Sequence, residues 1–154
     1  MRIPNSFVTR FTQASDLKLA CVFYSLIHKN TKRNLLGYEI TVKQTTLVSL
    51  CGFSVSTVKR AASSLLKSGF IKSQKRQTNA PGKLGTYTYT IEAVSTASKY
   101  FTMDKKLMSR LNGNEFRVYA MCCKLADSSH KSFFQSYNDL SQLLGMSRQD
   151  VLRT

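Results

Sequence analysis

The sequence predicts an α+β fold in which a three-helix bundle is followed by a β-hairpin, and then by a second, incomplete unit of the same kind. Apolar residues recur with a helical period before residue 70 and then switch to strict alternation. The pattern of the second and third helices returns 93 residues later. Among the 154 residues, 42% are hydrophobic, 20% are charged and only 2 are proline, which is the composition of a folded protein.

The first two helices are predicted from apolar spacing and end signals. Asp16 can cap a helix over about 16–29, because apolar residues follow it at i, i+3 and i+4. Alternation of apolar and polar residues over 38–41 indicates a short strand. A second helix is predicted over roughly 43–51 and is closed by Gly52, since glycine most readily adopts the left-handed conformation at a helix end.

The third helix, which we expect over about 54–68, is the most informative element. Ser54 is a good N-cap, and Gly69 ends the helix. The apolar stripe expected to face the core is Val58, Ala61, Ala62, Leu65 and Leu66. The side chains expected to face outward, with no carboxylate among them, are Ser56, Thr57, Lys59, Arg60, Ser63, Ser64 and Lys67. Such a surface can approach phosphates and base edges without electrostatic repulsion.

A β-hairpin with a basic tip is predicted next. Residues 70–76 and 86–91 alternate between apolar and polar positions, as strands do, and 77–83 contain the turn formers Asn, Pro and Gly. The residues that share the apolar face of the returning strand are Tyr87, Tyr89 and Ile91.

The predicted elements follow the order of a winged helix-turn-helix: helix, strand, helix, tight turn, helix and basic hairpin. The run T-L-V-S-L-C-G-F-S-V-S-T-V-K-R, from Thr46 to Arg60, together with L-L-K-S-G-F-I over 65–71, closely resembles the signature of winged-helix DNA-binding domains. Lys43 departs from that pattern, because such domains often have a Ser or Thr cap there. The resemblance covers about residues 16–92 and implies a winged-helix fold that binds duplex DNA.

A second copy of the motif is visible within the chain itself. Seven positions match in one register: Leu140, Leu143, Gly145, Met146, Ser147, Val151 and Arg153 stand 93 residues after Leu47, Leu50, Gly52, Phe53, Ser54, Val58 and Arg60. Upstream, 114–126 repeats the first helix. We expect Tyr100 and Phe101 to open this unit as Phe7 and Val8 open the first.

We therefore divide the chain into a first unit, residues 1–94, and a second unit, residues 95–154. The chain ends seven residues after Ser147, before a full third helix or a wing. We expect it to be a fragment of a longer protein. The alternative is a natural chain whose second half serves packing or dimerisation.

The charge of the protein is concentrated in the first unit. With 23 basic and 8 acidic residues, the net charge is +15. Residues 1–94 contribute 14 basic and 3 acidic residues, and residues 95–154 contribute 9 and 5. No acidic residue lies between Glu39 and Glu92. Surplus positive charge on a folded domain favours a polyanionic partner, nucleic acid before an acidic lipid surface.

The resemblance assigns candidate contacts with double-stranded DNA. The third helix would enter a major groove, with base edges contacted by Ser56, Thr57 and Arg60. Phosphate contacts are expected from Lys43, Thr45, Thr46 and Lys59, and Ser54 and Ser63 complete the helix surface. The wing would add Lys72, Lys75, Arg76 and Lys83. In the second unit the candidates are Ser147, Arg148, Gln149 and Arg153.

Other classes of function fit the sequence less well. Eight carboxylates, two histidines and no phosphate-binding glycine loop argue against an enzyme, a cofactor or a small-molecule substrate. The four cysteines form no C-x2-C pair, so we expect no metal site. Tyr87 and Tyr89 could stack on single-stranded nucleic acid. Because they alternate with threonines, we expect them to be core residues of the hairpin instead. RNA binding is disfavoured because the A-form major groove excludes a helix.

Without a long apolar segment or a leader, we expect a cytoplasmic protein with no membrane partner. Tandem winged helices behind a short extended segment such as Arg2 to Asn5 resemble the DNA-binding parts of plasmid and mobile-element replication initiators. That resemblance implies sequence-specific binding to repeated origin sequences in DNA replication. The alternative is a transcriptional regulator of the winged-helix class. A homodimer is left open.

Overall fold

The computed structural model describes residues 1–77, 86–94, 99–126 and 135–154. In chain order the elements of the first unit are β1 (Arg2–Pro4), α1 (Ser6–Arg10), α2 (Ala14–Ser25), β2 (Gly37–Val42), α3 (Gln44–Cys51), α4 (Val55–Lys67), β3 (Ile71–Arg76) and β4 (Tyr87–Glu92). Those of the second unit are β5 (Tyr100–Thr102), a 3-10 helix (Lys105–Met108), α5 (Gly113–Leu125), α6 (Tyr137–Leu144) and α7 (Arg148–Arg153). The strands form two small antiparallel sheets, so the described residues have the mixed α+β structure that the sequence predicts.

Helix α2 forms the centre of the core, and its ends differ from the prediction. It begins at Ala14 and ends at Ser25, short of residue 29. After Ser25 the Leu26 and Ile27 amides bond to carbonyls only three residues back, and the His28 backbone N–H bonds to the Thr31 hydroxyl, so the α-helical pattern does not continue. The prediction of Asp16 as the cap was wrong. Asp16 lies in the first turn of the helix and accepts a hydrogen bond from the Ser64 hydroxyl.

Helices α3 and α4 are joined by the predicted tight turn. Gly52 adopts the left-handed conformation with φ of 66°, and the Ser54 side chain caps α4. Val58, Ala61, Ala62 and Leu65 are buried as expected, but Leu66 is 41% exposed. At about 100° per residue, Leu66 points roughly 80° away from Val58, which places it at the margin of the stripe. The prediction of Leu66 as a core residue was wrong.

A three-stranded sheet closes the first unit, in the order β2, β4, β3. Strand β4 is central and pairs with β2 from Gly37 opposite Glu92 to Val42 opposite Tyr87. A bulge between Ile71 and Ser73 shifts the register of β3. Tyr89 and Ile91 are buried, and Tyr87 is half-buried. The predicted turn beyond Gln77 lies outside the described residues.

The amino terminus pairs with the beginning of the second unit. Strand β1 runs antiparallel to β5, with Ile3 opposite Phe101. Phe7 lies instead in α1, so Phe101 and Tyr100 do not mirror Phe7 and Val8, and that prediction was wrong. The two aromatic dipeptides look alike in sequence, but one is held by helical hydrogen bonds and the other by a strand partner about one hundred residues away.

The second unit packs on the first through helices. Helix α5 starts at a capping box formed by Asn112 and Glu115, packs against α2, and contacts α6, which in turn packs on α7. Phe116 and Ala120 of α5 belong to the same buried apolar cluster as α2. Within the described ranges, no helix is long and apolar enough to cross a membrane.

Candidate nucleic-acid interface

Helix α4 presents a polar face opposite its buried stripe. The exposed side chains that define this α4 face are Ser56, Lys59, Arg60, Ser63 and Lys67. The face is held in place because Val58, Ala61, Ala62 and Leu65 anchor the other side of the helix in the core. Burial of this stripe therefore fixes the direction in which the two central cations, Lys59 and Arg60, project.

The start of α4 is a cluster of hydroxyl groups. The Ser54 hydroxyl accepts a hydrogen bond from the Thr57 backbone N–H at 3.3 Å, and it lies 2.9 Å from the Thr57 hydroxyl and 3.1 Å from that of Ser56. Ser54 thus serves first as the helix cap. Ser56 is exposed and Thr57 is half-buried, so Ser56 is the more accessible of the two predicted base contacts.

The start of α3 is open. Lys43 occupies the N-cap position and makes no side-chain capping hydrogen bond, so the first amides of the helix have no side-chain acceptor there. Lys43, Thr45 and Thr46 are all exposed. An uncapped helix start with a lysine and two hydroxyls beside it is an arrangement that suits a phosphate group.

The described cations of the hairpin do not form one patch. Lys75 and Arg76 are neighbours in β3, so they project to opposite faces of the sheet. Arg76 lies over the ring of Tyr87 at 5.3 Å from its centroid. Hydrogen bonds from Asn34 and Lys32, and in smaller part the charge of Lys75, hold the pKa of Glu39 below its usual range. Lys72 is exposed at the bulge, and Lys83 lies outside the described residues.

The electrostatic surroundings of the α4 face are largely as expected, with one correction. The ion pairs among the described residues are Arg10 with Glu92 and Lys32 with Glu39, and neither includes a predicted DNA contact. Ser64, however, was expected to face outward on a surface without carboxylates. It is half-buried and donates to Asp16 at 2.5 Å, because α2 packs against α4 and brings its first turn to that side. An acid-free stretch of sequence is therefore not acid-free in space.

The predicted contacts of the second unit are exposed but have acidic neighbours. Ser147, Arg148, Gln149 and Arg153 are all exposed. The Ser147 hydroxyl donates to the Asp150 carboxylate at 2.7 Å and accepts from the Asp150 backbone N–H at 3.1 Å. The start of α7 therefore carries a carboxylate at the point where α4 has only hydroxyls.

One residue that the sequence analysis missed is Lys18, which is completely buried in α2. Its Nζ lies 4.5 Å from the centroid of the Phe53 ring and donates to the Leu111 carbonyl. A lone lysine inside the apolar run L-K-L-A-C-V-F was the signal that could have found it. Within the described part of the chain, no three His, Cys, Asp or Glu side chains cluster as metal ligands would.

Comparison with protein-family models, with curated proteins and with solved structures gives no match to this chain.

Proposed function

We propose that the protein binds double-stranded DNA sequence-specifically, with α4 as the recognition helix of a winged helix-turn-helix. The observation that carries this proposal is the α4 face, on which Lys59 and Arg60 are exposed between hydroxyl side chains and are paired with no carboxylate among the described residues. Cations left free on a rigid helix face are available for phosphate oxygens and base edges.

The order of elements supports the winged-helix assignment. Helix α2, strand β2, helices α3 and α4, and the β3–β4 pair follow one another, and β2 joins that pair as the third strand. In this arrangement α4 would lie in the major groove while the open start of α3 contacts the flanking phosphates. Arg60 can then make a bidentate contact with guanine, and Lys59 a phosphate contact.

The presence of two helix-turn-helix motifs in tandem supports a role at repeated sites. We infer a replication initiator of a plasmid or mobile element that binds iterated origin sequences, on the basis of the resemblance of the tandem units to such proteins. Iterated repeats beside the gene would support this role. A divergent promoter in their place would favour a transcriptional regulator.

Fluorescence anisotropy with labelled random duplex DNA over a series of salt concentrations tests the proposal. If about six phosphates are neutralised, the logarithm of the affinity falls with the logarithm of the salt concentration with a slope of about −5. A single-stranded oligonucleotide and a double-stranded RNA of equal length serve as controls, and both are expected to bind more weakly.

Absent or salt-insensitive binding to duplex DNA would contradict the proposal. Selection from a random duplex library then tests specificity, because a protein that only neutralises phosphates would enrich no sequence.

A further inference from the structure

The turn between α3 and α4 is covered by the second unit. A Cβ built on Gly52 would lie 2.3 Å from the Ser109 carbonyl oxygen, so backbone meets backbone there without room for a side chain. A Cβ on Gly113 would lie 3.1 Å from the Ala14 Cβ, and the Phe53 ring edge is 4.0 Å away. Residues 109–113, which we call the junction segment, are therefore packed directly on the turn that precedes α4.

Lys18 contacts both the junction segment and the α3–α4 turn. Its ammonium donates to the Leu111 carbonyl at 2.5 Å and lies over the rings of Phe53, at 4.5 Å, and Phe116, at 5.7 Å. One partner belongs to the turn, one to the junction segment and one to α5. Its side chain thus joins α2 to the turn, the junction segment and α5.

Stability alone does not explain a lysine at this position. The ammonium is fully buried, and burial lowers the lysine pKa. The Glu115 carboxylate acts on it electrostatically but accepts its hydrogen bond from the Asn112 backbone N–H. An apolar side chain of the same length would avoid the desolvation of a charge. A buried polar group that costs stability often specifies one arrangement of the elements around it.

We propose that Lys18 is a positioning residue, which locks the α3–α4 turn against the junction segment and so sets how α4 is presented to DNA. The DNA affinity of the first unit then depends on the docking of the second unit, through a side chain that never reaches the DNA. This inference rests on the proposed DNA-binding function.

The first test compares the Lys18→Met and Lys59→Met variants of the full chain by anisotropy with duplex DNA over a salt series. Lys18→Met keeps the length of the side chain and removes its charge and hydrogen bond. We expect it to weaken binding about tenfold while the salt slope stays that of the wild type, because no phosphate contact is lost. Lys59→Met is expected to make the slope shallower by about 0.9.

The outcomes separate the two claims. If the wild type does not bind duplex DNA, the proposed function fails. If the wild type binds and Lys18→Met binds equally well, only the positioning role fails. A shallower slope for Lys18→Met would also overturn that role, since it would make Lys18 a phosphate contact.

A matched pair of glycine variants tests the same junction without touching Lys18, which matters if Lys18→Met fails to fold. Gly52 and Gly145 have nearly the same backbone conformation, with φ of 66° and 61°. Alanine therefore brings similar backbone strain at both positions. A Cβ at Gly145, however, meets nothing within 4 Å, whereas one at Gly52 meets Ser109.

We expect Gly52→Ala to weaken DNA binding at least about tenfold more than Gly145→Ala. Equal affinities for the two variants would contradict control of the turn by the junction segment.

Discussion

The two helix-turn-helix copies have the same framework but differ at the starts of their helices. Both have a left-handed glycine in the turn, a capping serine after it and a buried valine in the last helix, Val58 in one copy and Val151 in the other. In the second copy Ser136 and Asp139 form a capping box at the start of α6, and Ser147 caps α7 while its hydroxyl donates to the Asp150 carboxylate.

The corresponding positions of the first copy lack these carboxylates. Subtracting 93 places Lys43 at the position of Ser136, Thr46 at that of Asp139 and Thr57 at that of Asp150. A carboxylate in the first turn stabilises a helix by interacting with its amides and dipole, but it also repels phosphate. At these two helix starts the first copy has no carboxylate, and only α4 keeps a side-chain cap, from Ser54. Under the proposed function, the first copy leaves its helix starts free for phosphate, whereas the second copy uses carboxylates at the same positions to stabilise its helices.

Removal of two cations from each copy should produce the largest contrast. We expect Lys59→Ala combined with Arg60→Ala to weaken duplex binding about a hundredfold, because one base contact and one phosphate contact are lost. Arg148→Ala combined with Arg153→Ala should weaken it by less than about fivefold. Titration by anisotropy measures both, and equal losses would mean that the two copies contribute alike.

Introducing the carboxylates of Asp139 and Asp150 into the first copy tests whether they account for the difference between the copies. Thr46→Asp combined with Thr57→Asp gives the first copy the carboxylates of the second. We expect duplex affinity to fall about thirtyfold through repulsion of phosphate, while thermal stability is kept or slightly raised. Thr46→Asn with Thr57→Asn is the neutral control. A lower affinity for this control as well would indicate lost hydroxyl contacts instead of charge.

Alkaline pH should destabilise the first copy through a thiol that the second copy lacks. Cys51 is buried at the end of α3, where the second copy has Leu144, and burial raises its pKa from 9.0 to about 12. A raised folded-state pKa contributes stability that is present below pH 9.0 and is lost as the pH rises through the folded value. In urea unfolding we expect the wild type to lose about 1.4 kcal/mol more per pH unit than Cys51→Ala, in which the buried Cys21 thiol, whose pKa is also raised, still contributes. Parallel curves for the two proteins would exclude this cause.

Replacement of the acids in the second copy should have the smallest effect. Asp139→Thr with Asp150→Thr removes the capping-box carboxylate of α6 and the carboxylate that accepts from the Ser147 hydroxyl. We expect Tm to fall by about 2–4 °C. Hydrogen bonds from Ser136 lower the Asp139 pKa, so this contribution is present above pH 3.8 and is lost as the pH falls. Differential scanning calorimetry checks both statements, and an unchanged Tm would show that the capping box carries no stability. Duplex affinity should rise by less than about threefold.

Local signals made most of the first unit predictable from the sequence. The stripe from Val58 to Leu65, the turn at Gly52, the cap at Ser54 and the three strands of the sheet are each encoded within a few residues. The helical repeat was visible because both copies keep the same turn chemistry. The second unit's first helix was also placed to within one residue at each end, Gly113–Leu125 against 114–126.

Contacts between distant segments could not be predicted in this way. The pairing of β1 with β5, the hydrogen bond of Ser64 with Asp16 and the burial of Lys18 depend on residues about 50 to 100 positions apart. Periodicity describes one element at a time and says nothing about which element will cover it. The residues of the candidate site could therefore be predicted from the sequence. The packing of the second unit against the α3–α4 turn could not.

The most direct test of the difference between the copies is an NMR titration of the labelled protein with duplex DNA. We predict that backbone amide shifts change at Gln44–Thr46 and Ser56–Arg60, at the starts of α3 and α4, while the starts of α6 and α7 change little. Larger changes at Tyr137–Asp139 and Arg148–Asp150 than in the first copy would contradict the proposal that the first unit binds the DNA.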